Sequence, residues 1–176
     1  MYHNAEILIR SERPEDYSEI ELLVKEAFAS AEHSDGDEHN LVCRLRQTED
    51  YIHELSLVAI ENDMIVGYIM FSRIFIDGRI AVAPAPVAVA VEFQRKGIGS
   101  LLVTAGHDIA RRLGYSCSVV LGSPDYYSRF GYLKASVYGI MAPFDIPDEY
   151  YMVCGLGDRP YIPKGMVKYS DAFGII

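Results

Sequence analysis

The chain has no tryptophan, only three cysteines and a shortage of positive charge, and no uninterrupted apolar run long enough to cross a bilayer. Cys43, Cys117 and Cys154 lie far apart with no CxxC spacing, which excludes a disulfide framework and a thiolate zinc site. All three are expected as small buried core residues. Sixteen Lys and Arg against 25 Asp and Glu give a net charge of −9 and a pI near 5.0. That balance excludes a general nucleic-acid binder, whose affinity would come from clustered cations on phosphates. The start, "MYHNAEILIRSERPEDY", lacks a basic region followed by an apolar stretch of signal length. The expectation is a soluble cytoplasmic protein with neither membrane nor nucleic-acid partner.

What is present suits one compact domain, residues 1–176, with a core at about 5–140 and 141–176 as a terminal strand and tail. "AEILIR", Ala5 to Arg10, alternates like a strand, and Pro14 opens a helix whose stripe is Tyr17, Ile20, Leu23, Val24, Ala27 and Phe28. A second helix is expected to be capped by Ser34 or Asp35 and to face inward through Leu41, Val42 and Leu45. Residues 54–91 read as three strands joined by turns at Asn62-Asp63 and Asp77-Gly78, with Pro84 and Pro86 forcing a bulge or splayed edge in the third. Ile98 to Leu113 is helical and stops at Gly114; "CSVVL" is a buried strand. "SPDYYSRFG" is a short helix capped by Ser123 and ended by Gly131, and Leu133–Ile140 and Tyr150–Leu156 are strand-like. The order makes an α/β domain with a mixed sheet.

The junction "VAVAVEFQRKGIGSLLVTAG" puts a β-branched run, two glycines and a helix in sequence. Unpaired N–H groups at a helix start, together with the helix dipole, attract an anion. A P-loop is excluded because Lys96 precedes Gly97 and the first glycine is missing; a dinucleotide fingerprint is excluded because Leu102 stands where the third glycine belongs. Gly97 and Gly99 remove the Cβ atoms that would hold a diphosphate off the backbone, while Arg95 and Lys96 add local positive charge.

Gln94-Arg95-Lys96-Gly97-Ile98-Gly99 matches Q/R-x-x-G-x-G/A, and with "VAV" at Val87–Val89, the N-terminal helix pair and "YYSRFGY" at Tyr126–Tyr132 the chain resembles the GNAT superfamily of acyl-CoA-dependent N-acetyltransferases over nearly its whole length. "LVCRLR", "LGSPDYYSRFGY" and "PDEYYMV" look most like its YhbS-like branch of predicted N-acetyltransferases. The resemblance implies a mixed, mostly antiparallel sheet with helices on both faces and a splayed strand pair. The coenzyme arm would lie in the gap against the main chain of Val87, Ala88 and Val89, with Gln94, Arg95, Lys96, Gly97, Ile98, Gly99 and Ser100 around the diphosphate. Val91 stands where many members have proline. Acetyl-CoA is the implied co-substrate and no metal is implied; "DGDEH" lacks the EF-hand order.

Tyr127 matches the family tyrosine that faces the coenzyme sulfur. Complete proton transfer from a tyrosine to a thiolate is uphill by about 2 kcal/mol in unperturbed terms, so hydrogen bonding to the thiolate is the expected role. Glu38 shares a helical face with Leu41, Val42 and Leu45 and is the expected base, although Asp35-x-x-Glu38 also has capping-box spacing. His33 and His39 are expected as exposed loop residues. The implied function is acetyl transfer to a primary amine by direct attack in a ternary complex; the second reading is a non-catalytic acyl-CoA-binding sensor or interaction module. Glu32, Asp35, Asp37, Glu38, Asp145, Asp148 and Glu149 carry no nearby Lys or Arg in their two segments, so a cationic acceptor is expected if those segments border one cleft. A homodimer is compatible with the sequence.

Overall fold

The computed structural model describes residues 6–175; Ala5 of the expected first strand lies outside them. The elements in chain order are β1 (Leu8–Ser11), α1 (Tyr17–Phe28), α2 (Glu38–Leu45), β2 (Tyr51–Glu61), β3 (Met64–Ile76), β4 (Arg79–Val89), α3 (Ile98–Arg112), β5 (Cys117–Leu121), α4 (Pro124–Tyr127), β6 (Leu133–Lys134), β7 (Ile140–Met141), β8 (Tyr151–Gly155) and β9 (Gly165–Lys168). The sheet runs β1-β2-β3-β4-β5-β8-β6, and β9 pairs with both β3 and β7. All neighbours on the main path are antiparallel except β4 and β5.

The meander forms because both turns take left-handed backbone: Asn62 and Asp63 have φ 50 and 63, Asp77 and Gly78 have φ 48 and 77. Alternation along β3 then divides the core. Ile69 and Phe71 pack with Leu102 and Val103 of α3, while Tyr68 and Met70 pack with Ile20 and Val24 of α1 and Val42 and Leu45 of α2. The sheet therefore carries helices on both faces, as the family resemblance implies.

β4 supplies the gap. Ile69 pairs with Val87 but Phe71 pairs with Pro84, so three steps on β4 match two on β3, a bulge at the prolines. On its other side β4 shares one register pair with β5, Val82 opposite Ser118, among the described residues. Beyond it the strands part. β5 is paired along its whole length with β8 instead, from Cys117–Gly155 to Leu121–Tyr151.

Several local expectations are corrected. Cys43 is exposed, because Val42 and Leu45 turn inward and residue 43 rotates away; Cys117 and Cys154 are buried. α2 starts at Glu38 after Asp37, not after Ser34 or Asp35: Ser34 Oγ accepts from the Gly36 amide at 2.9 Å and Asp35 Oδ1 from the Asp37 amide at 3.0 Å. The Asp35–Glu38 capping box is consequently not formed. Ser123 precedes α4 but offers its carbonyl to the Tyr127 amide at 2.9 Å, not its hydroxyl. Leu133–Ile140 is not one strand: a 3-10 turn at Ala135–Tyr138 separates β6 from β7. The stretch read as tail contributes β9.

Candidate functional site

Where β4 runs out, Val91–Phe93 makes a single 3-10 turn, Gln94 is extended, and Arg95 and Gly97 take φ 62 and 86 before α3 begins at Ile98. Alternating left-handed and ordinary backbone turns successive N–H groups toward one side, and the first turn of α3 leaves its amides without helical partners. The Gln94 side chain ties the loop back to the Val89 carbonyl at 3.1 Å. A cavity of about 550 Å³ sits over this turn, lined by Val89, Phe93, Gln94, Arg95, Gly97, Ile98, Gly99, Ser100, Tyr126 and Arg129. Among the described residues, two guanidinium-bearing ones and no carboxylate line it, in a chain of net charge −9. The fit to a diphosphate is good: an anion would meet backbone donors, the positive end of α3 and two arginines.

The two glycines differ in why they are needed. A Cβ at Gly97 would meet nothing within 4 Å, so backbone conformation alone selects glycine there. A Cβ at Gly99 would stand 2.6 Å from the Tyr126 hydroxyl, so close approach selects it. Lys96 departs from expectation. It does not line the cavity; its Nζ lies 4.8 Å from the centre of the Phe93 ring.

The β4 main chain explains the next part. The Ala90 amide donates to the Val66 carbonyl at 2.9 Å, which fixes the hydrogen-bonded phase of the β3–β4 ladder. In that phase Ala88 pairs with Tyr68 through both backbone groups, while Val87 and Val89, opposite Ile69 and Gly67, turn theirs away from β3 into the gap. Val87 therefore turns both its N–H and its C=O to the gap, and Val89 its N–H, the Val89 carbonyl being taken by the Gln94 side chain. Ala88 turns neither, and its side chain is buried on the α1–α2 side.

A second cavity of about 440 Å³ lies on the same gap, lined by Ala83–Val87 of β4, Val119, Leu121 and Gly122 at β5, Tyr127, Phe28, Glu38, Leu41, Phe144, Tyr169, Phe173 and Ile175. Structure brings Glu38 and Tyr127 together here from 89 residues apart in sequence. The half-buried Tyr127 ring rests on Gly122, where a Cβ would collide with the Cε2 edge of the ring. It stacks edge-on to Tyr126 and Tyr132, with centroids 5.0 and 5.6 Å away. Burial raises its pKa further above the usual tyrosine range, with a smaller contribution from Tyr126. Beneath it, the fully buried Tyr132 hydroxyl bonds Ser118 Oγ at 2.7 Å and His107 Nε2 at 2.9 Å. Burial lowers the His107 pKa to about 4, with Asp108 opposing and Arg111 adding smaller effects.

Of the seven carboxylates expected to border the acceptor side, only Glu38 lines this cavity. Asp37 is paired with Arg44 at 2.7 Å and Asp148 with Lys134 at 3.5 Å, while Glu32, Asp35, Asp145 and Glu149 are exposed. His39 sits on α2, half-buried, rather than in an exposed loop; His33 is exposed. Sequence reading missed Tyr126, Arg129, Phe144, Tyr169 and Phe173. Tyr126 and Arg129 could have been found from their spacing beside Tyr127 on one short helical turn; the last three carry no local signal. Among the described residues, no cluster of three or more His, Cys, Asp or Glu is arranged to hold a metal ion. No helix there is long and apolar enough to cross a membrane.

The acetyltransferase (GNAT) domain profile matches residues 53–134. The uncharacterized N-acetyltransferase YhbS of Escherichia coli K12 is 32% identical over 171 residues, covering 95% of this chain and 98% of that protein. The crystal structure of Escherichia coli YhbS in complex with CoA superposes with a TM-score of 0.88 at 29% identity, over 99% of this chain and 95% of that one. A GNAT family acetyltransferase from Brucella melitensis, in complex with acetyl-CoA, gives 0.81 at 31% identity over 97% of this chain and 99% of that one.

Proposed function

The chain belongs to the GNAT acetyltransferase family, and on that premise we propose that it moves an acetyl group from acetyl-CoA to a primary amine by direct attack in a ternary complex. The observation that carries this reading is the pairing of two cavities on one gap: Val89 and Tyr126 line the first, Val87 and Tyr127 the second. The amides from Lys96 to Ser100, with Arg95 and Arg129, hold the diphosphate; Val87 and Val89 hold the pantetheine arm through their main chain. That arrangement delivers the thioester to the side of the gap where Glu38 and Tyr127 stand.

The residues then divide the chemistry. Glu38 accepts the proton lost by the amine as its nitrogen bonds to the carbonyl carbon. The Tyr127 hydroxyl donates a hydrogen bond to sulfur as the carbon–sulfur bond breaks. Burial of Tyr127 makes full release of its proton costlier than in water, so Tyr127 stabilises the thiolate without itself ionising.

The test is thiol release from acetyl-CoA with and without a primary amine, for the unaltered chain and Glu38→Gln. Amine-dependent release is expected, with Glu38→Gln about a hundredfold slower near neutral pH. The deficit should shrink as pH approaches the pKa of the amine, because solvent then supplies the neutral nucleophile. Tight coenzyme binding with no amine-dependent release would identify a binding module instead.

A further inference from the structure

The second cavity has an unusual lining for a site that must handle an ammonium group. Phe28, Leu41, Phe144, Tyr169 and Phe173 line one wall of it, and among the described residues that line it Glu38 is the only charged one. Three of these rings come from the C-terminal third of the chain and support one another: Phe144 lies 6.1 Å from Tyr169 and Tyr169 lies 5.2 Å from Phe173, centre to centre. The wall is anchored on several sides. β9 pairs Lys168 with Phe75 of β3; the Tyr169 and Tyr151 hydroxyls are 2.9 Å apart; Arg44 Nε of α2 donates to the Ala172 carbonyl at 2.9 Å. Tyr169 is held neutral, its pKa pushed up to about 12 by burial.

We propose that the acceptor is a small primary amine with a single positive charge, carried on an aromatic or branched apolar group. The proposal rests on the transferase reading above and adds the substrate class. One carboxylate can pair with one ammonium and take its proton; a second ammonium would enter an apolar wall with no partner, which is heavily penalised. The rings offer edge and face contacts to an aromatic group. A lysine within a protein would bring flanking backbone against a wall tied down by Arg44 and by β9. In the reaction, the amine nitrogen forms a bond to the acetyl carbon as the carbon–sulfur bond breaks. Glu38 first takes the ammonium proton and passes it to solvent, leaving a neutral amine; the second N–H proton passes to Glu38 as the N–C bond forms, and the sulfur leaves as thiolate and takes a proton from solvent, giving an N-acetyl amide, free CoA and one net proton.

The experiment measures kcat/KM at saturating acetyl-CoA for phenethylamine, isoamylamine, spermidine and a lysine-containing peptide, with calorimetry of acetyl-CoA binding alongside. Phenethylamine and isoamylamine should exceed spermidine and the peptide by about tenfold or more, the factor that 1.4 kcal/mol represents. Phe173→Ala should lower kcat/KM for phenethylamine, mainly through KM, and leave acetyl-CoA affinity unchanged. Binding of phenethylamine to the CoA-loaded unaltered chain provides a readout that needs no variant to fold. Faster acetylation of spermidine or the peptide would overturn the acceptor class while leaving the transferase reading intact. So would a Phe173→Ala effect equal for all four amines, or one that falls on the acyl-CoA alone. Absence of acetyl-CoA binding, or of thiol release with every amine, would instead overturn the transferase reading, and this proposal with it.

Discussion

The two cavities on the gap are built in opposite ways. The first comes almost wholly from one run, residues 89–100, joined by Tyr126 and Arg129, and it works through backbone amides and the end of a helix. The second gathers side chains from α1, α2, β4, β5, α4 and the C-terminal segment, and it works through what those side chains are. A backbone site needs particular glycines at particular spacings and so leaves a readable trace. A side-chain site needs only that the fold bring distant residues together, and local pattern does not encode that.

The sharpest way to separate them is Tyr127→Phe. Removing the hydroxyl should lower kcat about a hundredfold while coenzyme affinity changes less than twofold, because the group acts only as charge gathers on sulfur. Equal losses in both would mean that Tyr127 belongs to the binding cavity, and the division would fail.

Below the second cavity, the His107–Tyr132–Ser118 network makes the fold itself sensitive to acid. His107 is neutral in the folded chain down to about pH 4 but titrates near 6.5 when unfolded. Between those values the unfolded chain binds more protons, so stability is full above about pH 6.5 and falls as pH drops toward 4, by up to about 3 kcal/mol. Denaturant melts across pH 4–7 check this. His107→Gln should flatten the slope in that window; an unchanged slope would place the acid sensitivity elsewhere.

Smaller effects sharpen the picture of the first cavity. Gly99→Ala should weaken CoA binding about tenfold by driving a Cβ against the Tyr126 hydroxyl, and adding Tyr126→Phe should recover much of the loss, since the ring carbon lies 3.8 Å away. Calorimetry on the single and double variants reads the coupling. Lys96→Ala should change CoA affinity less than twofold, because its ammonium lies over Phe93 outside the cavity lining.

Legibility in the sequence followed the same division. The turns at Asn62-Asp63 and Asp77-Gly78, the proline bulge and the loop before α3 were readable because each depends on residues adjacent in sequence. Glu38 and Tyr127 were reached through one helical face and a family resemblance, and they do line one cavity. Beyond residue 133 reading broke down. β6 and β7 are two residues long, too short for alternation to register, and β9 is a strand only because β3 and β7 lie beside it. Phe144, Tyr169 and Phe173 looked like part of a loop and a tail because their placement depends on those pairings. Ala88 teaches the same lesson in small: its neighbours face the gap and it does not, and the phase of a ladder decides which.

With one register pair between β4 and β5 among the described residues, Val82 opposite Ser118, the halves of the sheet meet along an open seam. A molecule lying in the seam stands in for a missing strand, so binding it completes a ladder much as folding does. Occupancy is then legible in amide hydrogen exchange without any turnover: the Val87 and Val89 amides, lacking a strand partner, gain protection when the seam is filled, whereas Ala88, already bonded to Tyr68, serves as the silent reference between them. The same substitution ties global stability to ligand concentration, so that the melting temperature of this chain becomes a reading of how much coenzyme surrounds it.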